Sequence, residues 1–322
     1  MTVVDVHTHM MTREWLALLA EHGGKYTVTA DGMIEMDGTP FLPVQQSMWD
    51  YELRIQAMDE ARVDVAVVSL TCPNVYWGDQ ATSLQAARIV NDSMAQQRRL
   101  RAHRIAWFAS LPWQYPEAAI QELGRVAALG ACGIVVLANI AGQDLIDPLF
   151  APVWAEIDRL ALPVLVHPTV PQGYRDQHLE EFALAGSVGF MADTTLAFAK
   201  IIYSGFIDRY PQLKLIASHG GGSLPYVAGR LDRVHEVHPA ASAAIKGKPS
   251  DYLRRIHYDA VVYERLALDL CIAVAGEDNV LFGSDYPHKI SDMAGSLARV
   301  RSLPSAQARK VLQTNAERLF KL

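Results

Sequence analysis

Cysteine is scarce in this chain: Cys72, Cys132 and Cys271 are three among 322 residues, far apart and odd in number. That excludes a disulfide framework and points to reduced thiols in a cytoplasmic protein. Long apolar runs are missing too. No window of about twenty residues is both free of charge and long enough to span a bilayer. The start, from Met1 to His7, has no basic stretch followed by an apolar one, so neither a membrane span nor a secretory leader is expected. Charge of neither sign gathers into a block, although acidic residues outnumber basic ones by 35 to 29 for a net −6. The densest basic stretch, Arg98, Arg99, Arg101, His103 and Arg104, reads as a solvated helix end and not as a nucleic-acid footprint. Glycine (21) and proline (16) are too few for a collagen-like or low-complexity chain.

What is present is a regular alternation. Eight short apolar, β-branched runs lie at 3–6, 63–70, 105–110, 133–137, 163–166, 213–217, 256–259 and 280–283. Most are continuously apolar, as strands buried on both faces of a parallel sheet must be. Between them, stretches with apolar residues three and four apart predict helices at 83–99, 116–128, 148–160, 193–204, 224–236, 264–275 and 305–319. No composition shift or Gly/Ser linker divides the chain. The expectation is therefore one α/β domain over 1–322, a single (β/α)8 TIM barrel. An open doubly wound sheet shares the local pattern, but no Gly-x-Gly-x-x-Gly turn follows the first strand. The irregular segment 11–49, with alternating Thr and Val near Tyr26, is expected to form a small hairpin inserted after strand 1, over the barrel mouth.

The strand ends carry the chemistry. Strand 1 runs into Asp5-Val6-His7-Thr8-His9, and residues two apart on a strand point to one side, so both imidazoles can face one point. The fifth predicted strand ends in His167-Pro168, the sixth in Ser218-His219-Gly220-Gly221-Gly222, and the eighth in Gly283-Ser284-Asp285-Tyr286-Pro287. Taken singly, each histidine is no more than a core or turn residue, and Asp285 a turn initiator. A closed barrel brings all of them around one mouth. Imidazole and carboxylate together suit a divalent ion, zinc first with manganese as the rival.

In this order along a barrel pattern, these residues resemble the amidohydrolase superfamily. Asp5-Val-His-Thr-His, Leu165-Val-His-Pro, Ser204-Gly-Phe-Ile-Asp-Arg-Tyr-Pro, Ser218-His-Gly-Gly-Gly-Ser, Gly283-Ser-Asp-Tyr-Pro and Asn315-Ala-Glu-Arg-Leu-Phe are similar to its aminocarboxymuconate-semialdehyde decarboxylase-like branch of metal-dependent decarboxylases. Trp49-Asp50 and the stretch from Arg54 to Asp59 extend the likeness over nearly the whole chain. The resemblance implies one divalent metal ion on His7, His9, His167 and Asp285, with His219 beside it as acid/base. Binuclear members carry a carboxylated lysine at the end of strand 4. Here that stretch, Gly133 to Asn139, has no lysine, which favours a single metal.

A departure bears on the substrate. Where the resembled enzyme grips a substrate carboxylate with arginine, this chain has Leu42. Its second substrate arginine, donated by the neighbouring protomer, matches Arg230, which implies a homodimer with shared sites; the plain alternative is a helix-surface arginine paired to Asp232 or Glu236. Tyr76, Trp77, Trp113, Phe190 and His288 complete the candidate pocket, whose aromatic rings suit a flat conjugated or phenolic small molecule. The expected reaction is nonoxidative decarboxylation of a hydroxybenzoate-like or muconate-semialdehyde-like acid, with hydrolysis of a lactone or amide as the alternative.

Overall fold

In the computed structural model, which describes residues 1–321, the strands follow the order β1 (Val4–His9), β2 (Tyr26–Val28), β3 (Met33–Met36), β4 (Thr39–Pro43), β5 (Val65–Ser69), β6 (Ile105–Ala109), β7 (Gly133–Leu137), β8 (Asn139–Ile140), β9 (Gln143–Asp144), β10 (Pro163–His167), β11 (Lys214–Ala217), β12 (His257–Asp259) and β13 (Val280–Leu281). Eight of them form one parallel sheet in the order β1-β5-β6-β7-β10-β11-β12-β13. Each matches one of the eight apolar runs. The sheet curls back on itself after β13, where Val6 N–H donates to Phe282 O (2.9 Å) and His9 N–H to Tyr286 O (2.7 Å). This is the (β/α)8 barrel expected from the alternation.

The barrel interior is filled by Val4, Val6, Val67, Phe108, Val135, Leu165, Ile216 and Leu281, with Leu319 and Phe320 of the last helix packed among them. Phe320 lies 5.5 Å from Phe108 between ring centroids. A second, larger apolar layer separates the outer faces of the strands from the helices. Helix starts follow side-chain capping of otherwise unpaired N–H groups. Thr12 accepts from Trp15 N, Asp50 from Glu52 N and Leu53 N, and Asp79 from Thr82 N. The basic stretch is the end of the helix Gln80–Leu100, and Arg101 and Arg104 beyond it pair with Glu52 and Asp59.

Three details differ from the sequence reading. The segment after β1 holds a helix, Arg13–His22, and a three-stranded antiparallel sheet, β2-β3-β4, where a hairpin was expected. The predicted helix over 305–319 is interrupted by a π turn at Lys310–Thr314. The helix Tyr51–Ala61 follows the insertion and enters the site through Arg54. By length and composition the helical segment Glu181–Tyr203 is apolar enough to cross a membrane. Ala197, Phe198, Ile201 and Ile202 on it are nevertheless buried against the rest of the protein, and it carries Asp193.

Candidate metal centre and active site

The inward aim of both strand 1 histidines rests on a β-bulge. Val4 pairs with Val65 and Asp5 with Ala66, but Thr8 pairs with Val68 and His9 with Ser69, so β1 has one residue more than β5. A bulge reverses the alternation beyond it. Val4 and Val6 fill the barrel interior; after the extra residue, His7 and His9 take the inward positions, while Thr8 turns outward towards Arg54.

Around that point five imidazoles and one carboxylate converge. Ring centroids lie 5.0 Å apart for His7 and His9, 5.1 Å for His7 and His167, 4.9 Å for His7 and His219, and 4.8 Å for both His9 with His167 and His9 with His288. Nε2 of His7 is 3.2 Å from Nε2 of His9. Asp285 Oδ1 is 3.4 Å from the first and 3.1 Å from the second. Donors about 2.0–2.1 Å from a tetrahedrally bound ion stand about 3.3 Å from one another, so these spacings fit a shared cation. His7, His167, His219 and Asp285 also place one donor atom each within 4.8 Å of the others.

The hydrogen bonds on the far side of each ring fix the tautomers. His7 Nδ1 donates to Asp259 Oδ2 at 2.6 Å, leaving Nε2 facing the cluster. His9 Nδ1 meets Ser69 Oγ at 3.2 Å. His167 Nδ1 donates to the carbonyl of Pro168 at 2.7 Å, and its Nε2 is buried with no partner. A buried imidazole nitrogen left unpaired is costly unless something else takes its lone pair, and a cation held among these donors would do so. At His9 and His167 charge favours the same reading, whereas at His7 burial is outweighed by Asp259 and Asp285, which raise it to about 10. Burial lowers His9 to about 3, with His288 and His7 adding to it, and burial takes His167 well below its ordinary value, so both are neutral lone-pair donors. Burial acts to raise Asp285, but its close contacts with His219, His7 and His9 outweigh it and hold the carboxylate well below its usual range.

Asp259, at the end of β12, escaped the sequence reading. Besides His7 it accepts the backbone N–H groups of His219 (3.0 Å), Gly220 (3.1 Å) and Val261 (2.9 Å). Burial works to raise this carboxyl, and His7 and its other donors more than compensate, so it is ionised. It ties the strand carrying His7 to the loop carrying His219. Arg54 is the other unforeseen residue. Fully buried, it donates to Thr8 Oγ1 and to the carbonyl of His9, and its guanidinium sits 4.5 Å from the centroid of the Tyr286 ring. It braces the ends of both strands that present His9 and Asp285.

Backbone conformation at this rim is unusual. His219 (φ 54°) and Asp285 (φ 60°) both adopt the left-handed region, a conformation that side-chain-bearing residues tolerate where surroundings enforce it. Gly283 is required by close approach: a Cβ there would lie 2.8 Å from the Cβ of His7.

The remaining candidate residues divide. His288 reaches the cluster and meets Thr71 Oγ1 at 3.0 Å. Phe190 lies half-buried 6.4 Å from the His167 ring. Tyr76 lines a cleft of about 350 Å3 between the insertion sheet and the loops after β7 and β10. Leu42 is buried in the insertion sheet opposite Ile34. Trp77 donates to Asn74 O (2.8 Å) and packs on Trp15, outside that cleft. Trp113 lies outside that cleft, its ring fully buried against Trp154 (4.7 Å) and Phe150 (6.1 Å). Arg230 is exposed on the helix Leu224–Val237 and makes no ion pair among the described residues; Asp232 and Glu236 are engaged by Ser250 and by Arg233 and Lys248.

The amidohydrolase family model matches residues 4–322. The chain belongs to the amidohydrolase family. This amidohydrolase is 31% identical over 300 residues to 2-amino-3-carboxymuconate-6-semialdehyde decarboxylase of Dictyostelium discoideum, covering 90% of this chain and 83% of that one. It is similar to 5-carboxyvanillate decarboxylase from Sphingomonas paucimobilis, with a TM-score of 0.87, 28% identity and coverage of 100% and 99% of the two chains. Dihydroxybenzoic acid decarboxylase from Polaromonas sp. JS666, solved with bound manganese and 2-nitroresorcinol, matches at TM-score 0.81 and 25% identity over 100% and 97%.

Proposed function

We propose that this amidohydrolase removes the carboxylate of an aromatic acid as carbon dioxide, using one divalent cation on His7, His9, His167 and Asp285. The observation that carries the reading is that the relatives and neighbours named above are decarboxylases whose length this chain spans almost whole. When bound, the cation supplies positive charge that orients the substrate's oxygen atoms and stabilises the negative charge they gain. The donor set accepts zinc or manganese, and the manganese of the Polaromonas structure supports the second.

The chain's own residues manage the proton. Breaking the carbon–carboxylate bond leaves its electron pair on the ring carbon, which must gain one proton. We assign its delivery to His219, whose Nε2 stands 3.5 Å from Asp285 Oδ2. Asp259 holds the His219 backbone N–H and so aims the ring. Leu42 places no charge in the insertion sheet, which supports a substrate with a single carboxylate over a dicarboxylated one.

The assembly proposed is a homodimer. Phe182 (88%), Leu196 (57%) and Tyr226 (84%) expose large apolar surfaces on the segment and helix that also bear Arg230, a face suited to a second copy. Three unpaired cysteines suit a reducing, cytoplasmic setting. Mass spectrometry of products tests the reaction, with metal-loaded protein given hydroxybenzoates, muconate semialdehydes, lactones and aryl amides. Loss of about 44 mass units supports decarboxylation; uptake of about 18 units on lactones or amides would replace it with hydrolysis.

A further inference from the structure

The peptide group between Pro168 and Thr169 is held at both ends. Its carbonyl accepts from His167 Nδ1 at 2.7 Å, and its N–H donates to Asp193 Oδ2 at 2.9 Å. His167 is thus joined to a carboxylate through one amide. The amide is planar and conjugated, so an anionic acceptor on its N–H pushes electron density onto its oxygen and strengthens the bond that oxygen accepts. The same plane fixes where the oxygen stands, and with it the direction in which Nε2 of His167 points.

Asp193 is firmly set in that place. It is buried in the first turn of the helix Phe190–Tyr203, where the helix dipole favours negative charge. Its other oxygen, Oδ1, accepts from Asn139 Nδ2 at 3.0 Å. The same Asn139 nitrogen donates to Val170 O at 3.1 Å, and Asn139 Oδ1 accepts Gly142 N–H at 3.0 Å. The loop that follows His167 is therefore clasped from β8 and from the helix together. Phe190, one helical turn before Asp193, stands 6.4 Å from the His167 ring, so a single helix addresses both the ring and the peptide behind it. Burial lifts the Asp193 carboxyl to about 6, against the bonds from Thr169 and Asn139 that act to lower it, and it is ionised at pH 7.5.

We infer that Asp193 is a positioning residue for the metal centre: through the Pro168–Thr169 peptide it orients His167 and makes Nε2 a stronger donor to the cation. This rests on the proposed metal site and adds the residue behind one of its ligands. His7 has its carboxylate, Asp259, in direct contact; His167 has one at a remove of a single peptide.

The test compares wild type, Asp193→Asn, Asp193→Ala and Asn139→Ala at pH 7.5. Chelator competition gives manganese affinity, and proton NMR of isotope-labelled histidine follows the His167 Nδ1–H, identified by its loss in His167→Gln, in metal-free and zinc-loaded protein. Asparagine at 193 has one oxygen for two donors, so the peptide meets a neutral acceptor or none. Both Asp193 variants are expected to move the resonance upfield and to weaken manganese binding about 3- to 10-fold, less than for a partner bonded directly to a ligand. Asn139→Ala keeps the bond from Thr169 to Asp193; it is expected to lower the urea midpoint and leave resonance and affinity in place. An unmoved resonance in the Asp193 variants, unchanged affinity, or an equal effect in Asn139→Ala would each overturn the assignment. Absence of metal binding by wild type would instead remove the metal reading, and the metal-free resonance would still support or overturn the orienting role of Asp193.

Discussion

Asp259→Asn isolates what an unligated carboxylate contributes to the centre. Oδ2 receives two donors, His7 Nδ1 and His219 N–H, and Oδ1 receives two more, Gly220 N–H and Val261 N–H. An asparagine has one oxygen and one NH2, so whichever way it turns, its NH2 faces two donors. Two hydrogen bonds to a charged acceptor are lost, at roughly 1.5–3 kcal/mol each, which sums to about 3–6 kcal/mol. Were the NH2 to face His7, the ring could accept from it only by moving its proton to Nε2, where it blocks a metal donor. We therefore expect metal affinity to fall about 10- to 100-fold. Urea denaturation of the metal-free protein measures the first effect and chelator competition the second. A variant within about 1 kcal/mol of wild type in stability, with unchanged metal affinity, would refute the reasoning.

Three further outcomes are expected. Asp285→Ala and His167→Ala should reduce bound metal measured by elemental analysis, whereas His219→Ala should keep metal and lose turnover; full turnover in the last variant removes its acid/base role. Trp113→Ala should cost about 3–5 kcal/mol of stability by denaturant titration and leave the ranking of substrates by kcat/KM intact, since the ring packs in the helical layer. Burial pushes the Cys72 and Cys132 thiols up to about 12 and raises Cys271 as well, so iodoacetamide at pH 7.5 should label none of them in the folded protein and all three after denaturation; rapid native labelling would contradict their placement.

The histidines were legible because an apolar run that ends in a polar ring is visible along one dimension, and three such runs, with a fourth ending in Asp285, need only a barrel to meet. Asp259 was hidden for the opposite reason. It sits in a three-residue strand, and its importance comes from His7, 252 residues away, through a bond no local pattern encodes. Arg54 entered the sequence reading only as the start of a stretch that extends the family likeness, yet it is fully buried against Tyr286 and the backbone of His9. A bulky aromatic after a strand, as at Trp113, suits the rim and the helical layer equally, and sequence alone does not choose between them. The helix Arg13–His22 and the third insertion strand went unseen for want of a long periodic pattern.

The extra residue in β1 divides that strand's labour. Residues before it answer to the oily filling of the barrel, and residues after it answer to the histidine cluster. Because the parity changes between them, Val4 and Val6 can drift among aliphatic side chains without any compensating change at His7 or His9. A one-residue deletion within that short span, by contrast, would swing both rings out of the mouth while leaving the strand's hydrogen-bonded partner in place. The gene encoding such a protein should thus accept aliphatic exchanges at Val4 and Val6 and almost no change in the strand's length.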